Sequence, residues 1–135
     1  MNNLNRTGCR FFLFASLFCF SNSWSQVSST QYSREVIADV RKAMETSTKT
    51  YCVNFWTESE SKKQALYKSG ITLSAQCGCT QQEVNYLMSD DLAVNAYIGF
   101  DDLEKGKPVS PALQQWNKLV FSSMQMCSEK LMRRR

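Results

Sequence analysis

Apolar residues recur at steps of three and four through most of the chain, the spacing of one helix face. The longest such stripe is C-terminal, where Leu113, Trp116, Val120, Met124, Cys127 and Leu131 follow one another over about five turns. Ser110-Pro111 precedes it, an N-cap followed by proline at the first helical position. A second stripe runs through 33–56 as Val36, Val40, Met44, Tyr51 and Phe55, with Ile37, Ala43, Cys52 and Trp56 beside it. Ser47 interrupts that stripe, and 46–50 has weak helix propensity, so a bend or break is expected to fall there if anywhere.

Two segments read as capping boxes, in which the first side chain and the fourth satisfy free N–H groups reciprocally. Thr57-Glu58-Ser59-Glu60 opens a short helix over 58–69, which Gly70 ends. Thr80-Gln81-Gln82-Glu83 opens another over 81–88, with Val84, Leu87 and Met88 on one face. Between them 71–76 reads as an irregular connection. Ser89 followed by Asp90 and Asp91 caps a further segment over 90–97, either a separate helix or the continuation of a kinked one. The stretch 99–109 holds Gly99, Gly106 and Pro108 among charged residues and reads as the clearest loop. The expected architecture is an all-α bundle of four or five helices.

The N-terminal segment has a different logic. Arg6 and Arg10 precede the apolar run 11–20, which gives way to Ser21-Asn22-Ser23-Trp24-Ser25. A positive start, a short apolar stretch and small residues spaced by one describe a secretory signal peptide, residues 1–25, cleaved after Ser25. The run is half the length that a membrane span needs. Cys19 follows Phe18 where a lipidation signal requires a small residue, so no stable membrane anchor is expected. Residues 26–135 then form a single domain.

Composition narrows the function. The chain has 135 residues, 43% hydrophobic and 21% charged, a balance that suits one folded domain. It contains no histidine, which removes the commonest general base and most transition-metal sites. Losing Arg6 and Arg10 from 16 basic groups against 12 acidic ones leaves the mature chain at +2, and three of its basic groups are the terminal Arg133, Arg134 and Arg135. Such a body offers no basic surface for nucleic acid. No phosphate loop, nucleophile elbow, zinc-protease or calcium-loop pattern occurs. The acidic pairs Glu58/Glu60, Asp90/Asp91 and Asp101/Asp102 sit where helix starts and solvated faces place them.

Cys52, Cys77, Cys79 and Cys127 remain after cleavage, and an even count in an exported chain reads as a disulfide framework. A Cys77–Cys79 ring across Gly78 alone would be strained. Two pairings remain: Cys52–Cys77 with Cys79–Cys127, or Cys52–Cys79 with Cys77–Cys127. Either staples distant segments of the chain. The alternative chemistry for Cys77-Gly78-Cys79 is a thiol-redox couple, with Cys79 at a helix N-terminus, or a Cu(I) site with Met124 and Met126.

The expectation is therefore an exported protein, periplasmic or extracellular, without catalytic residues, metal or cofactor, that binds another protein. Inhibitors, immunity proteins and envelope subunits share this character. Phe100 with Asp101 and Asp102 in the expected loop, and Trp56 and Trp116 on the helices, are the candidate partner-binding residues. Nothing in the pattern dictates an oligomeric state.

Overall fold

A computed structural model describes residues 25–134. The expected signal sequence lies outside the described residues apart from Ser25. Five α-helices follow a 3₁₀ turn at Ser29–Gln31: α1 Arg34–Thr57, α2 Glu60–Ser69, α3 Leu73–Leu87, α4 Asp90–Glu104 and α5 Pro111–Arg133. The all-α disulfide-stapled bundle expected from the sequence is what the structure shows.

Each helix begins at a hydroxyl side chain. Ser33, Ser59, Thr72, Ser89 and Ser110 are the N-caps, and each accepts a hydrogen bond from the backbone N–H three residues on. Gly70 ends α2 in the left-handed region, at φ 65°, where a side chain would be strained. The capping residues differ from those expected at two starts. Ser59, one residue before Glu60, caps α2 in place of Thr57. Thr72 caps α3, so 71–76 is not an irregular connection and the Cys pair lies inside a helix rather than ahead of one. Thr80 is fully buried there, and its hydroxyl donates to the Gln76 carbonyl 2.9 Å away.

Two further expectations are corrected by packing. α1 runs unbroken through 46–50, where Thr48 is fully buried in the packed core and the Thr46 and Thr48 hydroxyls donate to carbonyls one turn back, at 3.1 and 2.8 Å. Its buried line is Met44, Thr48 and Cys52, while Val36 at its start is 42% exposed. α4 continues to Glu104, so the expected loop shrinks to 105–109. Gly99 lies within this longer helix: a Cβ there would meet the Ser110 Oγ at 2.4 Å, so α4 and α5 approach closely at that point. α3 and α4 are separate helices, divided at Met88 and Ser89.

The heaviest packing runs α1 on α3, α3 on α5, α5 on α4 and α4 on α1, so four helices close around one core. α2 lies outside them against α1. Met44, Val84, Met88, Ala93, Ala96, Leu113, Trp116, Val120 and Met124 fill the centre. α3 is the element both staples share. Cys52–Cys77 ties it to α1, and Cys79–Cys127 ties it to α5, with Cα–Cα distances of 5.6 and 5.9 Å. Helical residues two apart project about 200° from each other, so Cys77 and Cys79 face opposite neighbours.

Candidate partner-binding groove

The C-terminal turns of α1 and the second half of α5 leave a groove between them. Its volume is about 720 Å³, and Phe55, Trp56, Phe121, Met124 and Met132 form its apolar surface. α1 presents Phe55 and Trp56 because Cys52, one turn earlier, is fully buried and disulfide-bonded to α3. On α5 the core stripe already occupies Val120, Met124 and Cys127. Phe121 and Met132 fall outside that stripe and are 44% and 49% exposed. A large exposed aromatic residue beside a concavity is the signature of a contact surface more than of a core.

The groove is preorganised by ring packing. Phe55 meets Trp56 and Phe121 edge to face, both at centroid distances of 5.4 Å. Phe121 meets Tyr51, Tyr51 meets Trp116, and Trp116 meets Phe100, at 5.8, 5.8 and 5.1 Å. One chain of rings thus runs from Trp56 at the groove to Phe100 on α4. The Lys62 ammonium lies 3.7 Å from the centre of the Phe55 ring and covers one face of it with a cation. The Trp56 indole N–H is buried without a hydrogen-bond partner. Lys118 and Glu129, both exposed, stand on the α5 rim.

The expected binding residues are distributed over this frame and do not form one surface. Trp56 is half-buried and lines the groove, and it also borders a second apolar cavity of about 480 Å³ under α2 with Leu66 and Ile71. Trp116 is 2% exposed and belongs to the core. Phe100 is half-buried against Trp116, on a helix rather than a loop. Asp101 and Asp102 are engaged by Lys105 and Lys107. The hydrogen bond and charge of Asp101 push the Lys105 ammonium above its ordinary value. Phe121 and Met132 escaped sequence reasoning, although their excess over the core stripe was visible.

A second feature sits at the start of the described chain. The Asn95 amide accepts from the Val27 N–H at 2.8 Å and donates to the Val27 carbonyl at 2.7 Å. The Ser29 N–H donates to Asp91 at 2.6 Å. Bonds from the Ser29 side chain, then from its backbone, hold the Asp91 carboxyl below the ordinary carboxylate value. Together these contacts strap the segment before α1 across the first turns of α4.

Among the described residues no three His, Cys, Asp or Glu side chains converge as metal ligands. All four described cysteine sulfurs are in disulfide bonds, so this state offers no thiolate. Cys79 lies mid-helix, which removes the helix N-terminus expected to activate it. No described helix is long and apolar enough to cross a membrane. The chain matches no family model, no curated protein and no solved structure.

Proposed function

We propose that this chain is an exported, non-enzymatic helical protein, periplasmic or secreted, that binds another protein molecule through the groove between α1 and α5. It is of the inhibitor, immunity-protein or envelope-subunit kind. The observation that carries this reading is Phe121, an aromatic side chain left 44% exposed at the edge of an apolar concavity whose walls are braced by edge-to-face rings. Two disulfides suit an oxidising compartment, where such bonds form and persist. They also hold α1 and α5 to the same central helix, so the groove is rigid before a partner arrives. Preorganisation of that kind reduces the entropy lost on binding.

The test is site-specific photocrosslinking in the producing cell. A photoreactive residue at Phe121 is expected to form a protein adduct, and one at Tyr86, which is 86% exposed on α3, is not. Phe121→Ala is then expected to weaken binding of the captured protein by about tenfold, the effect of a contact worth 1–2 kcal/mol. Absence of any adduct from Phe121 would refute the reading.

A further inference from the structure

We infer that the protein seated in this groove is a second copy of the chain, with the two α5 helices packed antiparallel across a two-fold axis. This rests on the reading that a protein, and not a small molecule, fills the groove. The rim itself points to the occupant. Lys118 and Glu129 are the rim charges on α5, and they are eleven residues apart. On an α-helix that separation is about three turns, about 16.5 Å along the axis and only about 20° around it, so both face the same way.

A surface with a cation at one end and an anion at the other complements its own antiparallel copy. Placing the two-fold axis between Ser123 and Met124 sets each Lys118 opposite Glu129 of the second copy, twice over by symmetry. The same operation sets Ser122 opposite Gln125 of the second copy, two uncharged polar residues that also line the groove. Lys118 has no ion-pair partner within the described chain. Glu129 has one weak contact, to Arg133 at 3.9 Å, with both groups more than half exposed. Both charges are therefore available to a partner.

The apolar content fits the same arrangement. Phe121 lies within one turn of the axis, so it meets the central part of the facing helix and is removed from water along with its symmetry mate. Met132 covers the outer end of the groove. The charges at the two ends set direction and register, since a parallel packing would bring like charges together. Only one helix face and the last turn of α1 take part, so the patch is small and the association is a concentration-dependent equilibrium, not an obligate one.

Sedimentation velocity on the oxidised mature chain, from about 1 μM to about 1 mM, tests this directly. A reversible monomer–dimer equilibrium is expected. Lys118→Glu should weaken it at least about tenfold by opposing two carboxylates, and Lys118→Glu with Glu129→Lys should restore it to within about threefold of the wild type. Phe121→Glu should abolish it. Circular dichroism and thermal melting of each variant check that the fold is kept; Lys118 and Glu129 are exposed, and at Phe121 the melt also reads the loss of the ring contacts to Tyr51 and Phe55.

A chain that stays monomeric throughout, a dimer indifferent to Lys118→Glu, or a double variant that fails to recover would each overturn the proposal. A monomer whose Phe121 crosslinks to a different protein would overturn the second copy while leaving the groove as a protein site. A monomer whose Phe121 crosslinks to nothing would overturn both.

Discussion

The guanidinium of Arg41 closes the C-terminal end of α3 by donating to the Met88 carbonyl at 2.9 Å. The same group donates to the Asn85 carbonyl at 2.5 Å and side chain at 3.0 Å, and to Asp90 at 2.7 Å on the first turn of α4. One side chain of α1 therefore satisfies carbonyls that the end of a helix leaves without partners, and it fixes the turn from α3 into α4. Cys52–Cys77 anchors the opposite ends of the α1–α3 pair.

Arg41→Ala should lower stability by about 2 kcal/mol, because partly buried carbonyls lose charged donors. Asp90→Ala should cost less than about 1 kcal/mol, because that carboxylate is exposed and solvent screens the pair. Denaturant unfolding measures both. Equal losses would mean that the ion pair, and not the helix end, is what Arg41 serves.

The two glycines inside helices should respond in opposite directions. A Cβ on Gly78 meets nothing within 4 Å, so Gly78→Ala should raise stability by about 0.5–1 kcal/mol through helix propensity. A Cβ on Gly99 would meet Ser110 Oγ at 2.4 Å and the Leu113 Cβ at 3.2 Å, so Gly99→Ala should lower stability by about 1–3 kcal/mol. Thermal melting of the pair checks the close approach of α4 to α5.

Each staple should contribute strongly. In the chain-entropy treatment, closing a sequence separation of 25 by Cys52–Cys77 is worth about 3.5 kcal/mol, and closing 48 by Cys79–Cys127 about 4 kcal/mol. Replacing either pair with serine is expected to lower the melting temperature by well over 10 °C, given about 4–8 °C per kcal/mol at this size. A loss of only a few degrees would show that helix packing alone holds the bundle.

Acid should loosen the Ser29–Asp91 contact of the N-terminal strap while the two Asn95–Val27 bonds persist. Ser29 depresses the Asp91 carboxyl, so the folded state holds this group ionised more readily than the unfolded chain does. Its contribution is complete above the ordinary value near 4 and fades as pH falls through the lower, folded value. The Ser29 amide resonance should follow that titration, and Asp91→Asn should make it independent of pH in this range. Titration at or above the ordinary value would contradict the assignment.

Most helices were legible because their stripes and caps agree, as at Ser110-Pro111 before Leu113 and Trp116. The start of α3 was not. Gly78 and Thr80 are poor helix formers, and Thr80 with Glu83 imitates a capping box, yet Thr80 spends its hydroxyl on Gln76 one turn back. The length of α4 was hidden for a related reason: Gly99 serves close packing and not a turn. The disulfide framework was visible as two alternatives, but choosing between them needs the direction in which Cys77 and Cys79 project from a helix that the pattern did not reveal. The groove was beyond reach, because Phe55 and Phe121 are 66 residues apart and meet only once α1 and α5 are packed.

Export of a fully oxidised scaffold is the proposal on which the binding reading rests. Intact-mass analysis of the protein recovered outside the cytoplasm, after blocking with a thiol-alkylating reagent under denaturing conditions, tests that claim most directly. The expected species begins at Gln26, carries no alkyl group and gains four only after reduction, one each at Cys52, Cys77, Cys79 and Cys127. A species that retains residues 1–25, is acylated at Cys19, or is alkylated before reduction would contradict it.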